Sequence, residues 1–255
     1  MEVRIEKTSE TVYNLPMELI HIDDRISYIP ATENPLSADV GIVEGDDAVW
    51  FFDVGSEDSV ATFIENYDTG FNSKSERKKK FAVISHFHTD HTANLPRIHF
   101  DKIFLGKYTL KYLKIIQNSS ELQAEYGSDT PTIQTNADFS FEDVCQIITE
   151  PIEVDDGIKL RIAEIPSSHT KGAVYLQAGK YTFLGDATFY GYKREKKFYN
   201  VQLLQQEITA LKEIDSAFFL LSHRRHFTKQ KKAVVTLLEQ IYNVRKPDAT
   251  EIEIF

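Results

Sequence analysis

Ser85-His86-Phe87-His88-Thr89-Asp90-His91 decides how this chain is read. Three histidines and an aspartate fall between positions 86 and 91, directly after the apolar run Phe81-Ala82-Val83-Ile84, which reads as a buried strand. Imidazole and carboxylate are the usual nitrogen and oxygen ligands of zinc and similar divalent ions. On an extended strand end, His86 and His88 share a face because they are two apart. Asp90 and His91 are adjacent and point elsewhere, towards a second metal position. One short segment thus begins two neighbouring sites, provided that distant residues complete them. A merely polar, histidine-rich loop would need no such completion, so the rest of the chain is the test.

The bounds are those of an ordinary globular protein. The chain has 255 residues, 42% hydrophobic and 27% charged, enough for one large α/β domain. We read a single domain over 1–255. No apolar run is long enough to span a bilayer, and the charged start Met1-Glu2-Val3-Arg4-Ile5-Glu6-Lys7 has no signal-peptide character, so no membrane partner and a cytoplasmic location are expected. The single cysteine, Cys145, excludes an internal disulfide and reads as a small apolar filler. A net charge of −10 argues against nucleic acid as a partner.

Strands are expected at 19–22 and 25–29, then as a hairpin over 38–43 and 48–52. The second hairpin strand ends in Asp53. Ser56 reads as the N-cap of a helix running to about Tyr67, with Glu57 and Asp58 in its first turn. Lys74 to Lys80 reads as a solvated charged link, because no aromatic residues interleave it. A strand follows at 102–105 and a helix at about 107–117. Residues 118–140 are irregular and turn-rich, the composition of a lid insertion over a site.

Further on, 158–165 alternates apolar and polar residues, and 173–178 with 181–184 forms a hairpin across Gly179-Lys180. Val201, Leu204, Ile208 and Leu211 mark an amphipathic helix. A strand at 217–221 and a helix from about Thr228 to Asn243 complete the pattern. Three of these predicted strand ends lead into a chemical group. His169 follows the first, Asp186 follows Leu184-Gly185, and His223 follows Leu221-Ser222. Ligands gather at the carboxyl ends of strands in α/β proteins.

The series Asp53, His86-x-His88-x-Asp90-His91, His169, Asp186, His223 resembles the metallo-β-lactamase superfamily over nearly the whole chain. The resemblance implies an α/β fold, a four-layer αββα sandwich, and two divalent metal ions. Zinc is the default, and iron or manganese fit the same donors. It implies that His86, His88 and His169 bind one metal, that Asp90, His91 and His223 bind the other, and that Asp186 bridges them. Asp53 is then a buried support. His226 rivals His223 in sequence but sits further into the charged turn Arg224-Arg225-His226.

A dinuclear site of this kind implies a hydrolase that uses a metal-bound hydroxide on a small ester, lactone, thioester or phosphodiester. Asp90 is the expected catalytic residue, orienting the water or passing its proton to the leaving group. The alternative is a non-hydrolytic metal-binding or iron redox protein on the same fold. The chain departs from several branches. Thr92-Ala93-Asn94 replaces the paired glycines of glyoxalase II relatives. His91 is present where the commonest class B β-lactamases lack a ligand histidine and where flavodiiron proteins carry an acid. The expected partner is a small-molecule substrate. Lys193-Arg194-Glu195-Lys196-Lys197 and Arg224-Arg225 begin near the metal residues and would suit an anionic one, with Tyr190 and Tyr192 either contacting it or simply packing.

Overall fold

The apolar runs on either side of the histidine stretch become neighbouring strands of one sheet. A computed structural model describes residues 5–6, 17–72, 74–118, 141–193 and 196–254, and the chain divides into two compact units, Met1–Ile147 and Ile148–Phe255.

In the first unit the elements are β1 (Ile5–Glu6), β2 (Leu19–Asp23), β3 (Ile26–Ile29), the short pair β4 (Thr32–Glu33) and β5 (Leu36–Ser37), β6 (Val40–Glu44), β7 (Ala48–Phe52), α1 (Asp58–Glu65), β8 (Lys79–Ile84), α2 (Thr89–Thr92), β9 (Lys102–Gly106), α3 (Lys107–Asn118), α4 (Phe141–Val144) and β10 (Cys145–Ile148). The main sheet has the order β1-β2-β3-β6-β7-β8-β9-β10. Pairing is antiparallel from β2 to β7 and parallel from β7 through β8 to β9. Strands buried on both faces read as unbroken apolar runs, which is why Val49-Trp50-Phe51-Phe52 shows no alternation. Val49, Phe51, Ala82, Ile84, Ile103 and Leu105 form one core with Val60 and Ile64 of α1. Trp50 points to the other face, edge-on to Phe81 at 4.7 Å. Cys145 packs against the core, and burial pushes its thiol up to about 12, consistent with a filler rather than a nucleophile.

Two sequence expectations fail here. Ser56 does not cap α1. The N-cap is Glu57, and the Ser56 hydroxyl instead donates to the Leu36 carbonyl. Nor is the 74–80 link solvated throughout. Lys80, the second residue of β8, is 8% exposed, and its ammonium donates to the carbonyls of Ile64 and Glu65 at 2.7 and 2.8 Å. A lysine can serve there because the last carbonyls of a helix lack partners and carry partial negative charge. Desolvation lowers its pKa, an effect that Glu65 opposes. The segment read as a lid, 118–140, lies from 119 onward outside the described residues.

In the second unit β11 (Ile152–Asp155), β12 (Lys159–Ile165), β13 (Ala173–Ala178), β14 (Tyr181–Gly185), β17 (Phe218–Leu221) and β18 (Thr228–Gln230) form a sheet in that order. β14 and β17 are parallel and every other pair is antiparallel. A second, three-stranded sheet orders β15 (Gly191–Lys193), β16 (Lys196–Asn200) and β19 (Glu251–Ile254). Helices α5 (Val201–Glu213) and α6 (Lys231–Asn243) bury Leu204, Ile208, Leu211, Val235 and Leu238 against Ala163, Tyr175 and Phe219. Asn200 caps α5 by accepting from the Leu203 amide at 3.0 Å. The last helix begins at Lys231 rather than Thr228, because β-branched Thr228 pairs with Leu220 as part of β18. β11, β15, β16 and β19 are too short to read as strands from sequence alone: β11 (IEVD) and β19 (EIEI) do alternate, but over four residues each.

Candidate metal-binding clusters

In the first unit the chemistry gathers where two parallel neighbours end. β7 delivers Asp53 and β8 delivers Ser85 and His86 side by side. The chain then turns into the single helical turn α2, which carries Asp90 and His91. Backbone bonds clamp this turn: the Val54 amide donates to the His91 carbonyl at 3.0 Å, and the Ala38 amide to the Asp90 carbonyl at 3.0 Å. The buried Asn94 amide donates to the carbonyls of Val54 and Glu57 at 3.0 and 2.9 Å.

Asp53 organises the protons. Its Oδ1 accepts from the Ser85 amide at 2.8 Å, and its Oδ2 accepts from the Ser85 hydroxyl at 2.8 Å and from His91 Nδ1 at 2.7 Å. A carboxylate only accepts, so His91 carries its proton on Nδ1 and presents Nε2, which lies 3.4 Å from Asp90 Oδ2. Ser85 has one proton and gives it to Asp53. Its oxygen therefore accepts from His86 Nδ1, 2.9 Å away, and His86 presents Nε2. That nitrogen faces His88 Nδ1 at 2.9 Å. Two imidazoles on one tetrahedral zinc, each bonded at about 2.0–2.1 Å, bring their nitrogens to about 3.3 Å of each other, close to this separation. One buried carboxylate thus sets two tautomers, one directly and one through Ser85. Asp53 is 0% exposed and sits at φ 60°, a left-handed conformation that costs of order 1–3 kcal/mol for a residue with a side chain.

The second unit repeats the device with β14 and β17, whose parallel ends deliver Asp186 and His223. His223 also has positive φ, at 56°. His169 arrives from the loop after β12. The Ser167 hydroxyl donates to the Ala187 carbonyl at 2.6 Å and accepts from the His169 amide at 3.0 Å. His169 Nδ1 donates to the Tyr190 carbonyl at 3.1 Å, since a carbonyl cannot donate, and Nε2 turns towards Asp186. Asp186 Oδ2 lies 3.5 Å from His169 Nε2 and 3.9 Å from His223 Nε2. His226 is exposed. Gly191 lets the chain pass close by: a Cβ there would come within 2.4 Å of the Ser168 carbonyl oxygen.

Beside this cluster lies an aromatic and basic one. Arg224 stacks over Phe189 at 4.1 Å, Lys197 stands 5.2 Å from the Tyr190 ring, and the rings of Tyr190 and Tyr192 are 5.4 Å apart. A hydrogen bond from Tyr192, with the cations Lys197 and Arg224, holds the Tyr190 phenol below its ordinary pKa, although burial opposes this.

The sequence named His86, His88, Asp90, His91, His169, Asp186, His223 and Asp53. The structure assembles the first four around Asp53, and His169 and His223 around Asp186. It adds Ser85 and Ser167, which carried no signal beyond lying within two residues of a histidine, and the Tyr190 carbonyl, which carried none. The donors are imidazoles and carboxylates without thiolate, a set that suits zinc, iron or manganese.

A metallo-β-lactamase superfamily model matches residues 34–223, and the chain belongs to that superfamily. A metallo-β-lactamase superfamily protein from Sulfolobus tokodaii shares 18% identity over 87% of this chain and 87% of its own, with a TM-score of 0.55. A sec-alkylsulfatase from Pseudomonas sp. shares 12% over 88% of this chain and 41% of its own, with a TM-score of 0.59. A flavo di-iron protein variant from Thermotoga maritima shares 11% over 94% of this chain and 61% of its own, with a TM-score of 0.53. At such identities the likeness is one of fold, and the fold is the mixed α/β type of this superfamily. No curated protein matched the chain by sequence. Among the described residues no helix is long and apolar enough to cross a membrane.

Proposed function

We propose that the chain is a dinuclear metal-dependent hydrolase of a small ester, lactone, thioester or phosphodiester. In this reading, which follows the order of ligand motifs in the superfamily, His86, His88 and His169 hold one ion, Asp90, His91 and His223 hold the other, and Asp186 is shared. The observation that supports it is the position of Asp186 Oδ2, 3.5 Å from His169 Nε2 and 3.9 Å from His223 Nε2. In this reading those histidines serve different ions, and a carboxylate oxygen close to both is what a shared ligand requires. Bound divalent ions would supply Lewis acidity and an acidified water. The chain's own part is preparatory. Asp53 holds the His86 and His91 tautomers, Tyr190 holds that of His169, and Asp90 stands ready to orient the water or carry its proton.

Zinc is the metal we assign by default, and the single cysteine fits a reducing cytosol. The iron redox alternative shares the donor set and, beyond that, has only likeness of fold in its favour. Elemental analysis of protein purified without chelator and reloaded with excess zinc, followed by a panel of ester, lactone, thioester and phosphodiester substrates, tests the reading. Two ions per chain with metal-dependent turnover are expected. Saturation at one ion or none refutes the dinuclear assignment, and a dinuclear protein inert on the whole panel refutes the hydrolase.

A further inference from the structure

The hairpin after Asp186 sorts its charges by face. Register pairs Tyr192 with Lys197, and Lys197 in turn with Ile254 of β19. Because side chains alternate along a strand, Tyr192, Lys197, Tyr199, Ile252 and Ile254 share one face of this small sheet. Lys193, Lys196, Glu251 and Glu253 share the other. Among the described residues of this sheet the acidic ones, Glu251 and Glu253, lie on that second face, where Lys193 binds Glu251 at 2.6 Å and Lys196 binds Glu253 at 3.0 Å. Lys197 has no carboxylate within ion-pair distance among the described residues. The same holds for Arg224, which lies over Phe189, next to His223 in sequence. The nearby carboxyl on α5, Glu207, is fully buried, and desolvation favours its neutral form, so it does not offset these charges.

The phenols complete the arrangement. The Tyr190 phenol stands beside Tyr192, ring to ring at 5.4 Å, and beside the Lys197 ammonium, 5.2 Å from its ring. A phenol has one O–H to donate to an anion. The backbone carbonyl of the same residue holds His169 Nδ1 at 3.1 Å, so the cluster is tied to the metal-side histidine through one residue.

We propose that Tyr190, Lys197 and Arg224 form a recognition site for an oxyanion carried by the substrate, apart from the bond that is cleaved. The inference rests on the hydrolase reading above and names its substrate class: a hydrolysable small molecule bearing a carboxylate, sulfate or phosphate group. Two cations and a phenolic donor match the several lone pairs of such a group, and hydrogen bonds between charged partners are the strong ones. Tyr192 acts through Tyr190 and is a positioning residue.

The test has a kinetic arm and a binding arm, both on zinc-loaded full-length protein. The kinetic arm compares 4-nitrophenyl butyrate with the mono-4-nitrophenyl ester of adipic acid, which adds a remote carboxylate. Wild type should prefer the anionic ester in kcat/KM. Lys197→Met and Arg224→Leu should each lower the anionic-to-neutral ratio at least fivefold, and chiefly through KM. Lys197→Arg should restore most of the ratio, and Lys193→Met, on the opposite face, should leave it unchanged. The binding arm titrates adipate, inorganic sulfate and inorganic phosphate calorimetrically. It decides between carboxylate, sulfate and phosphate, and the preferred anion should bind at least tenfold more weakly to the Lys197→Met Arg224→Leu double variant.

Equal ratios in wild type and both variants, or anion affinity untouched by the double variant, overturn the proposal. Anion binding that depends on Lys197 and Arg224 in a protein that cleaves nothing on the panel refutes the hydrolase reading and supports the anion site. Efficient cleavage that is indifferent to substrate charge does the reverse.

Discussion

Replacing Glu207 with methionine should stabilise the protein, and by more at pH 7 than at pH 5. Glu207 lies on the apolar stripe of α5 between Leu204 and Leu211, is 0% exposed, and neither carboxyl oxygen has a hydrogen-bond partner among the described residues. Burial raises its pKa well above the ordinary 4.5. A buried polar group left unpaired costs about 1–3 kcal/mol, which methionine, of similar length, removes. The pH term adds to this. Below pH 4.5 the folded and unfolded states are both protonated at this position, and only the unpaired acid counts. As pH rises past 4.5 the unfolded chain ionises while the native group stays neutral, so wild-type stability falls by about 1.4 kcal/mol per pH unit relative to the variant. The loss levels off once pH exceeds the native pKa.

Urea unfolding of both proteins at pH 5, 6 and 7, followed by circular dichroism, measures the difference, and every histidine common to both cancels. The expected gain is about 2–4 kcal/mol at pH 5, widening towards pH 7. Glu207→Gln separates the two terms. It keeps the polar group but cannot ionise, so its difference from Glu207→Met should not vary with pH. A methionine variant less stable than wild type at pH 7, or a difference flat with pH, would refute the reasoning and imply a partner for the carboxyl.

Other substitutions probe the site itself. Asp186→Ala should keep the far-ultraviolet spectrum of the fold, lose one metal on titration, and drop turnover by at least 100-fold, because two close cations repel without a shared carboxylate; full occupancy with near wild-type rates would remove Asp186 from the centre. Asp53→Asn should weaken metal binding about 10–100-fold, since an amide oxygen cannot accept from Ser85 and His91 as a carboxylate does, and competition with a chelator reads this out. Gly191→Ala should destabilise by about 1–3 kcal/mol in thermal unfolding, because its Cβ meets the Ser168 backbone oxygen at 2.4 Å. Lys80→Met should cost about 1–2 kcal/mol by leaving the Ile64 and Glu65 carbonyls unpaired, again by urea unfolding.

What the sequence determined by itself is the set of strand ends and the groups they carry. Phe81–Ile84, Tyr181–Leu184 and Phe218–Leu221 are apolar runs cut off sharply by polar residues, and that contrast needs no tertiary knowledge to see. Ligand chemistry is equally local, because only a few side chains bind metal and their identities are written in the chain. Only tertiary structure decided how those ends are held. Parallel pairing of β7 with β8 sets Asp53 beside Ser85, 32 residues away, and through Ser85 fixes a histidine tautomer. The registers of β15, β16 and β19 divide five charged residues between two faces, and no spacing within one strand shows which of them meet. Lys80 and Glu207 were misread or passed over for the same physical reason. Whether a charge is solvated, capping a helix or buried in a core depends on what packs against it, and that partner lies elsewhere in the chain.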